Sequence, residues 1–133
     1  MSKEREIISK ARTSIANLYL TSDNILEIRF IEEYVVEPDD IKEIRKALRE
    51  ISENPVDRIL VVPGIHGSIS KEARDFDMFD GEPKQEKLMV AIVTGQLHQR
   101  ILGTMYFRYV QRKKYQSKFF KKEKEAMEWL QNG

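Results

Sequence analysis

Ile59-Leu60-Val61-Val62-Pro63-Gly64 is the stretch from which the fold can be read. An apolar run without alternation, closed by a Pro-Gly turn, suits a strand covered on both faces, since a strand with one wet face alternates polar and apolar positions. Leu88-Met89-Val90-Ala91-Ile92-Val93 repeats the pattern and ends in Thr94-Gly95. A helical pattern follows, in which Leu97, Ile101, Met105 and Tyr109 recur at one spacing with Leu102 and Tyr106 beside them. The two buried runs and the chain between them form a strand-helix-strand unit, which puts a parallel pair at the heart of a sheet.

Towards the amino terminus, Ile15-Ala16-Asn17-Leu18-Tyr19-Leu20 and Ile25-Leu26-Glu27-Ile28-Arg29-Phe30-Ile31 flank Thr21-Ser22-Asp23-Asn24, residues that tolerate a tight turn. A β-hairpin is expected, with Leu26, Ile28 and Phe30 on one face and Glu27 and Arg29 on the other. Pro38 followed by Asp39 and Asp40 starts a helix, and Ile41, Ile44, Ala47, Leu48 and Ile51 line its apolar side until Asn54-Pro55. Residues 63–69 read as the exit loop of the first buried run. Ser70 then caps a short helix carrying Ala73, Phe76 and Phe79.

Towards the carboxyl terminus, Ser117-Lys118-Phe119-Phe120 reads as a short strand and Glu123 to Gln131 as a last helix burying Ala126, Met127, Trp129 and Leu130. Residues 1–13 read as an arm or short helix, and 14–133 as a single domain, which the length of 133 residues allows. The class is α/β, a mixed sheet with helices packed on it, in the order β-β-α-β-α-β-α-β-α.

No apolar run reaches the ~20 residues a membrane crossing needs, and Met1-Ser2-Lys3-Glu4-Arg5-Glu6 lacks a secretory signal, so a cytoplasmic location is expected. With Cys 0 and His 2, thiolate chemistry is excluded and metal ligands are scarce, so neither metal nor cofactor is expected. Formal charge is +1 but uneven. Residues 96–133 hold nine basic against three acidic residues, net +6, and residues 1–95 hold 14 against 19, net −5. Arg108, Arg112, Lys113 and Lys114 form the candidate basic partner patch, and the overall neutrality argues against nucleic acid or a membrane surface as the partner.

Loops after parallel strands gather on one edge of a sheet, where ligands usually bind. Here that edge offers Gly64, His66, Gly67, Ser68 and Ser70 from one exit, and Thr94, Gly95, Gln96 and His98 from the other. Glycines, hydroxyls and helix starts can seat an anion. The same residues also serve as ordinary turn chemistry, and no Walker loop, dinucleotide fingerprint or nucleophile elbow surrounds them. A catalytic role is therefore not expected of this chain.

The order of elements, Ile59 to Val62 followed by Gly67-Ser68-Ile69-Ser70-Lys71-Glu72-Ala73-Arg74, and the ending Phe119-Phe120 to Ala126-Met127-Glu128-Trp129-Leu130 together resemble the STAS fold. The likeness is to anti-sigma-factor antagonists of the SpoIIAA type and to SpoIIAA-like and STAS/SEC14-like bacterial domains, over roughly residues 11–131. In such antagonists a serine at the start of the helix after the third strand is phosphorylated by a partner kinase, and the unmodified form captures that partner. Ser70 is the nearest positional match and Ser68 the second, in Ser68-Ile69-Ser70-Lys71 where the antagonists carry Asp-Ser-Ser-Gly.

The resemblance implies a non-enzymatic regulatory or protein-binding domain, gated by phosphate or an anion near Ser68 and Ser70, with a kinase or anti-sigma-type regulator as partner. The SEC14-like side of it implies instead a small-ligand or lipid carrier with an apolar pocket under the helix of Leu97 to Tyr109. An enzyme at the strand-end edge is the third alternative. A homodimer through the hairpin or that helix is compatible with each.

Overall fold

The computed structural model describes residues 6–52, 56–64, 66–73, 88–95 and 116–132. Within them, Thr21 to Asn24 reverses the chain. Asn24 adopts a left-handed φ of 61°, and the Thr21 hydroxyl lies against the Asp23 carboxylate and 2.9 Å from the Ile25 carbonyl. The turn joins β2 (Ala16–Thr21) to β3 (Leu26–Phe30) in an antiparallel pair with Leu18 opposite Ile28.

The segment read as an arm or short helix instead supplies a strand, β1 (Ile7–Arg12), antiparallel to β2 and at the edge of the sheet. Its side chains gave no strand pattern because it buries little. Ile7 and Ile8 are exposed, and backbone pairing with β2 makes the strand. Thr13 shapes the β1–β2 turn by accepting hydrogen bonds from the N–H groups of Ile15 and Ala16.

Helix α1 (Pro38–Ile51) starts as its sequence implies, with Pro38 in the first turn and the Asp40 carboxylate accepting the Glu37 N–H at 2.8 Å. Asp40 also accepts the Ser14 hydroxyl at 3.2 Å, and Glu43 accepts the Ser14 N–H at 2.6 Å, so the β1–β2 turn is tied to the start of the helix. Ile41, Ile44, Ala47, Leu48 and Ile51 are buried.

Between β3 and α1 lies a strand the sequence reading passed over, β4 (Glu33–Val36), and after β5 (Arg58–Val62) comes another, β6 (His66–Ile69). These two pair in parallel as a small separate sheet. The exit loop expected over 63–69 is thus a strand from His66 onward. The main sheet is completed by β7 (Met89–Val93) and β8 (Gln116–Phe120) in the order β1-β2-β3-β5-β7-β8, parallel from β3 onward.

The sheet is covered on both faces, which is why β5 and β7 read as unbroken apolar runs. Ile59, Val61, Val90 and Ile92 pack with Leu18, Leu26, Ile28 and α1. Leu60, Met89 and Ala91 turn the other way and pack with Ala126, Met127 and Leu130 of α2 (Glu123–Asn132). Arg58 closes the far end of α2, its Nε donating to the Leu130 carbonyl at 3.2 Å, one of the acceptors a helix end leaves over.

The fold is therefore mixed α/β, with two helices among the described residues. The expected order β-β-α-β-α-β-α-β-α lacked β1, β4 and β6. The helix expected over Leu97 to Tyr109, and the short helix from Ser70 beyond Ala73, lie outside the described residues.

Candidate functional site

The strand-end edge is built around Tyr34. Parallel pairing sets Tyr34 opposite Gly67, and the ring lies over that glycine so closely that a Cβ there would collide with its carbons. The ring stacks on Phe30 at the end of β3, with centroids 4.8 Å apart. Burial pushes the Tyr34 phenol above its ordinary pKa, opposed by a hydrogen bond with the Gly64 backbone. One side chain thereby holds together the exits of β3 and β5 and the small β4–β6 sheet.

Gly64 has a similar use, since a Cβ there would collide with the Ile31 backbone carbonyl. Both glycines are close-approach positions, as their type suggests, but what approaches them is the protein itself. Ser70 continues β6, its N–H donating to the Val36 carbonyl at 2.9 Å, and its hydroxyl accepts the Ala73 N–H at 3.1 Å. That three-residue reach is a capping bond. The roof formed by β4 and β6 leaves Ile31 and Val35 exposed beside exposed Glu32, Glu33 and Glu37.

At the neighbouring exit, Thr94 is buried, and its N–H and hydroxyl both reach the Phe120 carbonyl, at 2.8 and 3.2 Å, prolonging the β7–β8 ladder. Gly95 takes φ +57°, and nothing among the described residues stands near the position of a Cβ there. Pairing of β5 with β7 makes the two exits neighbours. The backbones of His66 and Ser68 lie in β6, whereas their side chains, and all of Gln96, His98, Arg108, Arg112, Lys113 and Lys114, lie outside the described residues.

On the α2 side of the sheet, Arg29 bridges Glu27 and Glu123. Its Nη2 lies 2.6 Å from the Glu27 carboxylate and also contacts Glu123, whose second oxygen is 3.4 Å from Nη1. Burial acts to lower the Arg29 pKa, but the bonds to Glu123 and Glu27 outweigh it, and the net shift is upward. The sequence placed Glu27 and Arg29 on a wet face; Glu27 is buried at 6% exposure. Tyr34 was missed too, though the β-rich run Tyr34-Val35-Val36 signals a strand.

Among the described residues no group of three or more His, Cys, Asp or Glu could hold a metal ion. No helix among them is long and apolar enough to cross a membrane.

A family model described as a domain of unknown function, DUF7793, matches residues 18–133. The chain belongs to the DUF7793 family. Comparisons with curated proteins and with solved structures gave no match. The DUF7793 span takes in the Tyr34 roof, Ser70, Thr94 and the Arg29 bridge, and leaves β1 outside it.

Proposed function

We propose that this DUF7793 chain is a non-enzymatic, STAS-like regulatory domain that binds a protein partner at its strand-end edge, with the Ser70 region as the gate. The observation that supports it most is Tyr34 over Gly67. Among the described residues, the β3 and β5 exits on the edge where an open α/β sheet usually receives a small ligand are covered by the protein's own ring and roof. What faces outward there is Ile31 and Val35 among Glu32, Glu33 and Glu37, a surface suited to an apolar patch with a basic rim. A kinase or anti-sigma-type regulator is the partner class the STAS resemblance implies.

Ser70 is joined to this roof through Val36. A phosphate there would replace a capping hydroxyl by a group of about −1.5 to −2 charge next to an acidic surface. The added charge by itself would strengthen the attraction for a basic rim, so the gate acts through the fold: repulsion from the roof's own carboxylates displaces Ser70 from Val36 and distorts the surface the partner meets.

The test is quantitative capture from native lysate on wild type, Ser70→Ala and Ser70→Glu, with mass spectrometry of the bait itself. One protein partner held by wild type and Ser70→Ala but released by Ser70→Glu is the expected result. Equal capture by all three contradicts the gate, and a bait that returns with an apolar small molecule and no protein points to a carrier instead.

A further inference from the structure

We propose that the outer edge of β1 is a homodimer interface, where a second copy adds its own β1 antiparallel and the main sheet continues into the partner. This rests on β1 alone and is independent of the function proposed above.

Strand β1 ends the strand order and pairs only with β2 among the described residues. The Thr13 N–H bonds the Ala16 carbonyl at 2.8 Å, so alternation turns the backbone of Ala11 towards β2 and that of Lys10 and Arg12 outward. An outward row of donors and acceptors is a template for another strand. The same strand carries Ile8 at 62% and Ile7 at 48% exposure, and Ile8 is the most exposed large hydrophobic among the described residues. Lys10 and Arg12 on the same strand deter pairing unless opposite charges meet them, so the charges decide what this edge accepts.

The charges select the occupant. Exposed Glu6 precedes the isoleucines, and exposed Lys10 and Arg12 follow them. About a two-fold axis, an antiparallel second copy sets the acidic start of each strand against the basic end of the other, whereas parallel pairing sets like against like. The edge is thus complementary to itself in one orientation.

The interface is small. Six residues at about 3.4 Å each span roughly 20 Å, and the irregular register between Ile7 and Ser9 shortens the straight part. An area at the low end for specific contacts gives a reversible, concentration-dependent dimer.

Sedimentation velocity on the full chain, from about 1 μM to about 1 mM, reads this directly. Wild type is expected to pass from monomer to dimer across the range. Ile7→Lys with Ile8→Lys, and separately Glu6→Lys, should each weaken the dimer at least about tenfold. Combining Glu6→Lys with Lys10→Glu and Arg12→Glu should restore it, because the swapped strand is again self-complementary. All these positions are surface positions, and circular dichroism checks that each variant keeps its fold. A monomer at every concentration overturns the proposal, as does a dimer unmoved by the isoleucine changes, or a charge swap that fails to restore association.

Discussion

Tyr34 and Gly67 occupy facing positions on β4 and β6, and the tyrosine ring fills the space a side chain at Gly67 would need. The small sheet can therefore close only over a glycine. Gly67→Ala should destabilise the fold by about 1–3 kcal/mol through overpacking. In a Tyr34→Ala background the same change should cost much less, since the obstacle is gone. Urea denaturation of the four proteins in this cycle measures the coupling; additive effects would mean the two residues do not share that space.

Tyr34 also sets a pH dependence. Its folded pKa is raised, so the neutral phenol stabilises the fold fully below the unfolded value of about 10 and loses that contribution as pH rises through the folded value. Wild type should lose more stability than Tyr34→Phe between about pH 9 and pH 11. The difference between the two denaturation curves is the readout, because it isolates the one hydroxyl in which the two proteins differ.

Arg29 links β3 to the start of α2 through Glu123 while contacting buried Glu27. Arg29→Met should cost about 1–2 kcal/mol, less than a fully buried pair because the guanidinium is about a third exposed. Combining it with Glu123→Gln should cost less than the sum of the two single changes. Thermal denaturation of the single and double variants checks this, and strict additivity would remove the bridge from the account.

Gly95 and Ser70 separate backbone from side-chain effects. Gly95→Ala meets no neighbour among the described residues, so its cost of about 1 kcal/mol should come from φ +57°, and Gly95→Asn should cost less. Ser70→Ala should cost about 0.5–2 kcal/mol for the lost cap and Ser70→Asp much less, by chemical denaturation.

The legible parts of the fold were those whose burial is written in side chains. Ile59–Val62 and Leu88–Val93 announce two covered faces, and the apolar stripe of α1 announces a helix. Strand β1 was not legible because pairing with β2, not burial, makes it a strand. The β4–β6 sheet escaped because His66-Gly67-Ser68 has little β propensity and becomes a strand only under Tyr34, 33 positions earlier in the chain. At the candidate site, Gly64 and Gly67 were legible as places of close approach. The partner in that approach is Tyr34 and the Ile31 carbonyl, a long-range fact no local pattern contains.

The most direct test of the binding account changes the roof without touching what supports it. Val35 is exposed and faces away from the buried Val36, so Val35→Glu should leave the thermal midpoint within a few degrees of wild type. Capture of the partner from native lysate should then fall at least about tenfold, the effect of a charge placed in the apolar centre of an interface. Undiminished capture by a folded Val35→Glu would contradict the claim that DUF7793 presents this edge to a protein.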